Sequence, residues 1–260
     1  MKEGQVVGRA GKVSPREAAR LLADREPVIA RLVAEAGLPS FPRPTETHFA
    51  ALVRSVTHQQ LAGAAAQAIH GRLVRTLGEV TPERLLVTST EDLRAAGLSG
   101  NKVLSLQDLA TKVLDGTVVL EPRGLARESD AEIVARLTTV RGIGKWSAEI
   151  FLMFQLRRLD VWPTGDLGVR KGFALAWGIP MPTPKALEAL GEPYHPYRSI
   201  VAWYCWRATQ LYAGAVATGV TAQAGTGGDP PSRSRPTLGQ LKPTKRTSSR
   251  AGRPPAGRGD

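Results

Sequence analysis

The run Val140-Arg141-Gly142-Ile143-Gly144-Lys145 lies between two stretches of helical apolar spacing, and its residue types imply a specific chemistry. Two glycines around one apolar residue allow a tight turn with an unhindered backbone, while Ile143 fills the space between the flanking helices. The amides of Gly144, Lys145 and Trp146 then open the second helix. Unpaired N–H groups at the positive end of a helix dipole suit a phosphate oxygen, and Lys145 stands beside them. Such a contact reads a nucleic-acid backbone and carries no base specificity. Further on, the loop from Leu159 to Gly172 presents Asp166, 22 residues past Gly144. Its plain structural reading is an N-cap for a helix starting near Leu167. Thr57-His58-Gln59-Gln60 forms a second polar joint, where an amide pair either caps a helix or reaches outward. Other chemistries are excluded. The single cysteine, Cys205, permits no intramolecular disulfide, no cysteine zinc site and no iron-sulfur cluster. His48, His58, His70 and His195 are dispersed and lack metal-ligand spacing.

The elements that position these residues are helical. Between Ser14 and Gly214 apolar residues recur at helical spacing without clear strand alternation, which predicts an all-α domain. Ser14-Pro15 starts a helix that Pro27 divides in two, and Gly37-Leu38-Pro39 ends it. Thr47 caps a helix carrying Phe49, Leu52, Val53 and Val56, and another begins near Leu61 and stops at Gly78. Thr81-Pro82 and Thr90 open short helices, and Gly97 to Gly100 turns into a longer one with Leu106 and Leu109. The connection Asp115 to Arg127 holds at most a brief extended piece at Val118 to Leu120. Ser129-Asp130 begins the helix before the glycine hairpin; the helix after it places Trp146, Ile150, Met153 and Phe154 on one face. The pattern is a helix-hairpin-helix.

The chain has 260 residues, 42% of them hydrophobic, enough for a real core. No run approaches the roughly 20 apolar residues of a membrane span, and residues 1–9 lack the apolar stretch of a signal peptide, so a cytoplasmic location and no membrane partner are expected. Lysine and arginine outnumber acids by 35 to 23, a net charge of +12, which makes a polyanion the expected partner. Residues 216–260 contain no aromatic residue and 14 glycines or prolines, a composition read as a disordered basic tail. Eight arginines and lysines there against Asp229 and Asp260 give it +6, half of the total. Residues 1–13 are read as a flexible N-terminus and 14–215 as the core. That core comprises one lobe of about 48–158, holding the hairpin, packed on a second of 14–47 and 159–215.

Four ordered segments carry a family resemblance. Arg141-Gly142-Ile143-Gly144-Lys145-Trp146-Ser147-Ala148, then Asp160-Val161-Trp162-Pro163 to Asp166, then Pro196-Tyr197-Arg198-Ser199 and Ala202 to Arg207 resemble the helix-hairpin-helix DNA glycosylases, best the alkylation-repair branch, DNA-3-methyladenine glycosylase II. Val53 to Leu61 resembles that branch's first helical joint, so the likeness covers roughly residues 45–212.

The resemblance implies a monomeric enzyme of two helical lobes with a cleft between them, acting on double-stranded DNA that carries a damaged base. It would extrude the nucleotide, hold the base in an aromatic pocket and cut its N-glycosidic bond. Asp166 matches the family's essential aspartate, which stabilises the oxocarbenium-like sugar and aligns water. Trp206, Trp203, Trp146 and Trp162 are the implied base pocket, since electron-rich rings attract a cationic alkylated purine. Gln59, Gln60 and Leu61 stand where the family probes the minor groove and fills the gap, with His58 in place of a small residue. Lyase members carry a lysine two residues after the second hairpin glycine; here Trp146 stands there, and Lys145 is turned away by about 100°. A monofunctional hydrolase follows. No cofactor is required; the family's hairpins can hold Na+ or K+ through backbone carbonyls, here Val140, Gly142 and Ile143. The alternatives are a non-catalytic DNA-binding module or a glycosylase for oxidised purines or mismatches.

Overall fold

A computed structural model of the chain describes residues 13–213. The expected flexible N-terminus and basic tail therefore lie almost wholly outside the described residues. Within them the fold is all-α, and no strand occurs among the described residues. The helices are α1 (Pro15–Ala23), α2 (Pro27–Ala36), α3 (His48–His58), α4 (Gly63–Leu77), α5 (Pro82–Val87), α6 (Thr90–Ala95), α7 (Gly100–Leu114), α8 (Pro122–Leu125), α9 (Asp130–Leu137), α10 (Lys145–Ile150), α11 (Leu167–Trp177), α12 (Pro184–Gly191) and α13 (Arg198–Leu211).

Their starts follow from the residues that cap them. Ser14, Thr47, Thr81, Ser99 and Thr183 each accept a backbone N–H of the first turn, and proline follows at once in α1, α5 and α12. Ser129 and Glu132 satisfy each other's backbone in a capping box ahead of α9. Three boundaries differ from expectation. Ser89, not Thr90, caps α6. The α4 helix begins at Gly63, leaving Leu61 in the preceding turn. The connection after α7 folds into the single turn of α8 behind buried Val118, because Pro122 fits a first helical turn and Leu125 finds a core site.

Two sets of helices pack among themselves. In one, α11 lies along α13, with α1 and α2 against them; in the other, α3, α4, α5, α6 and α7 pack together, with α9 and α10 behind the hairpin. The α11–α13 crossing is so close that a Cβ on Gly172 would fall 1.8 Å from the carbonyl oxygen of Cys205, so no side chain is tolerated there. Aromatic rings finish that layer, with Phe173 stacked on Trp177 at 4.0 Å. Arg198 pairs with Asp160 at 2.9 Å and so anchors the start of α13 to the loop that carries Asp166.

Candidate active site

The hairpin between α9 and α10 turns at Gly142, whose φ of +76° is a left-handed conformation and whose missing Cβ would sit 2.6 Å from Ser105 Oγ on α7. Ile143 is buried beneath it, as a plug should be. Gly144 is different. Its φ of −92° suits any residue, and a Cβ there would meet nothing within 4 Å. Its bareness leaves open space in front of the α10 amides, and α10 has no side-chain cap. Lys145 is exposed and directed to Glu149, with Nζ 3.6 Å from a carboxylate oxygen that is otherwise buried. Burial raises the pKa of Glu149, an effect that the nearby Lys145 offsets and Asp166 reinforces.

After Ile150 the helix widens into a π turn over Phe151–Gln155. This corrects the expected single face. Trp146, Ile150 and Phe154 look onto a cleft of about 890 Å³, whereas Met153 is fully buried on the other side. An extra residue in the turn rotates the register, a recurring device at functional sites. The opposite wall comprises the proline-rich segment 42–46 and the α3 residues Arg54, Ser55 and His58, with Gln59 and Gln60 at the joint. Arg54 donates twice to Glu46, at 2.8 and 2.6 Å, and the Gln155 amide bonds the Glu46 carbonyl, holding that wall in place. Phe41, Phe154 and Trp206 stack in sequence, with centroids 5.4 and 5.9 Å apart, from this wall toward Asp166.

Asp166 is the N-cap of α11 and only 8% exposed. Its Oδ1 accepts the Val169 amide at 2.8 Å and the Trp206 indole N–H at 3.1 Å. Its Oδ2 accepts the Trp146 indole N–H at 2.5 Å, and that ring is 47% exposed in the cleft. One oxygen is thus committed to the scaffold, while the other is covered by the half-exposed Trp146.

The remaining expectations divide. Trp206 and Trp146 meet at Asp166. Trp162 does not join them: it is buried, its N–H is spent on the Leu187 carbonyl at 2.8 Å, and its ring lies edge-on to Phe173, so it is a core residue. Trp203 packs edge-on against Tyr204 with Arg207 over its face. The Gln59 amide is taken up internally, donating to the Gly142 carbonyl at 3.0 Å, which leaves Gln60 and Leu61 as the outward members of the joint. That bond also bears on the hairpin cation. Of the three carbonyls named, Gly142 accepts from Gln59 at 3.0 Å and Val140 accepts the Ile143 amide at 3.1 Å, each keeping a second lone pair. Dispersed in sequence, His58 and His70 come together with ring centroids 5.7 Å apart. Burial, then Arg54 and Lys102, lowers the pKa of His58. No group of three metal-ligating side chains occurs among the described residues. Phe41, Glu149 and Lys102 carried no sequence signal: their roles arise from contacts that no local pattern marks.

A phosphate-ready hairpin beside a carboxylate framed by indoles defines a base-excision class of protein. Residues 53–196 match the HhH-GPD superfamily base excision DNA repair protein family, and the chain belongs to it. Within that superfamily it falls in the alkylation-repair branch. It is 35% identical over 164 residues to DNA-3-methyladenine glycosylase 1 of Schizosaccharomyces pombe, covering 62% of this chain and 72% of that protein. The 3-methyladenine DNA glycosylase of that yeast, solved with abasic DNA, superposes with a TM-score of 0.66 at 32% identity, covering 75% of this chain and 97% of that one. The DNA-3-methyladenine glycosidase of Bacillus halodurans gives 0.68 at 32% identity, covering 77% and 92%.

Proposed function

We propose that this protein is a monofunctional DNA glycosylase that hydrolyses the N-glycosidic bond of alkylated purines, such as 3-methyladenine and 7-methylguanine, in double-stranded DNA, working as a monomer. The observation that carries the reading is the environment of Asp166: a buried carboxylate anchored by a helix amide and one indole, with its second oxygen bonded to the indole of Trp146, which lines the cleft. As the bond breaks, the sugar gains positive charge. A fixed carboxylate stabilises that charge without reorganising, and Oδ2, once released by Trp146, aligns the attacking water. The apolar and aromatic wall of Ile150, Phe151, Phe154 and Trp146 accepts a flipped base. A cationic alkylated base is drawn to the ring faces and leaves readily, so the site needs no strong proton donor.

The hairpin amides after Gly144, with Lys145, engage phosphate. Gln60 and Leu61 at the tip enter the groove and occupy the space of the extruded nucleotide. A DNA-binding module without catalysis has no use for a carboxylate so enclosed and oriented, which favours the enzymatic reading. Methylated duplex DNA incubated with the protein, with released bases separated by chromatography, tests the proposal. Free 3-methyladenine and 7-methylguanine are expected; no release from methylated DNA, with release from parallel duplexes carrying an oxidised purine or a mismatch, would assign the scaffold to another specificity.

A further inference from the structure

The α3–α4 joint and the hairpin come from segments 83 residues apart, yet side chains bind them into one unit. Gln59 Nε2 donates to the Gly142 carbonyl at 3.0 Å and to Ser147 Oγ, in the first turn of α10, at 3.3 Å. From α7, Lys102 Nζ donates to the carbonyls of Thr57 at 2.7 Å and Gln59 at 2.8 Å. These are carbonyls that the end of α3 leaves without a helical partner, so the lysine closes the helix from outside its own chain segment. One turn further along α7, Ser105 fills the place where Gly142 lacks a Cβ. The same face of α7 therefore supports both the joint and the hairpin. Immediately after Gln59 the backbone turns left-handed at Gln60, with φ +57°, a conformation that non-glycine residues hold only when their surroundings impose it. Leu61 follows, 38% exposed. Burial lowers the pKa of Lys102, as expected for an ammonium withdrawn from water to serve backbone oxygens.

We infer that Lys102 and Gln59 are positioning residues for nucleotide extrusion: they fix the Gln60–Leu61 tip at a set distance from the hairpin amides, so that gripping the phosphate and inserting the tip occur together. The inference rests on the glycosylase reading. Lys102 is not among the cleft-lining residues and the Gln59 amide N–H groups are spent on the hairpin, so removing either leaves the chemistry at Asp166 in place while loosening the tip. The loss then falls on the step in which a paired base leaves the stack, and it shrinks where that step is already easy.

The test uses the full chain, saturating enzyme and single-turnover conditions, with one 7-methylguanine placed either opposite cytosine or unpaired in a one-nucleotide bulge. Lys102→Met is expected to slow release at least tenfold from the paired site and less than twofold from the bulge, with undamaged-duplex affinity unchanged within twofold. Gln59→Leu, which leaves Lys102 intact, is expected to show the same selectivity, and Lys102→Arg to recover most of the paired-site rate. An equal loss on both substrates, or no loss on the paired one, in a variant that melts like wild type would overturn the inference. Failure of the wild-type protein to release the base from either substrate would instead fault the glycosylase reading.

Discussion

Three N–H groups converge on Asp166, and their geometry divides the work between its two oxygens. Capping and catalysis are therefore compatible in one side chain, since Oδ1 serves the helix while Oδ2 is bonded only to Trp146, a cleft residue. Trp146, two residues after the second hairpin glycine, spends its indole N–H on Asp166 and offers no amine. Borohydride added during turnover on methylated DNA is expected to trap no protein–DNA adduct. Efficient trapping that disappears in Lys145→Ala or Lys171→Ala would make the enzyme bifunctional. Glu149 supplies a pH prediction. Its folded pKa is raised by burial, so its contribution to stability is complete below the ordinary glutamate value and is lost as pH rises through the folded one. Glu149→Gln should thus melt close to wild type near pH 4 and above it at pH 8; a difference independent of pH would contradict the assignment. Asp166, Trp146 and Trp206 were legible because they sit in ordered motifs. Trp162 was misplaced because an aromatic residue in a cluster carries no mark of which face it takes, and only the Leu187 carbonyl reveals it.

The hairpin shows why equal letters need not have equal roles. Gly142 is required by its backbone and by Ser105, whereas Gly144 is required by neither. Gly142→Ala should therefore cost at least about 1–2 kcal/mol in folding stability, the left-handed penalty of an L-residue, with the Ser105 contact adding to it. Gly144→Ala should melt like wild type yet bind DNA more weakly, because its methyl enters the space before the amides. Thermal melts and duplex titrations check both, and a melting loss confined to Gly144→Ala would reverse the assignment. Most helix starts were legible, because serine, threonine and proline announce them locally. The π turn at Phe151–Gln155 was not: nothing in an apolar run distinguishes 3.6 from wider winding, and its effect, the separation of Met153 from Phe154, appears only in three dimensions.

At the scale of the molecule, charge and site act at different ranges. Half of the net +12 is carried by residues 216–260, through eight arginines and lysines against two aspartates. Deleting residues 216–260 should flatten the salt dependence of non-specific DNA binding while leaving single-turnover cleavage at saturating enzyme almost intact. A truncated but folded protein that no longer cleaves would place the segment in the catalytic machinery. The all-α class and the order of helices were readable from periodicity, but the pairing of the α3–α4 joint with the hairpin was not, since side-chain contacts across such a separation leave no local pattern. The central claim, that Asp166 performs the chemistry, is tested most directly by Asp166→Asn. Asparagine caps a helix as well as aspartate does, so the fold should be kept while the charge is removed. The account predicts that release of methylated bases falls by orders of magnitude, with affinity for abasic-site DNA held within about tenfold; turnover near that of wild type would contradict it.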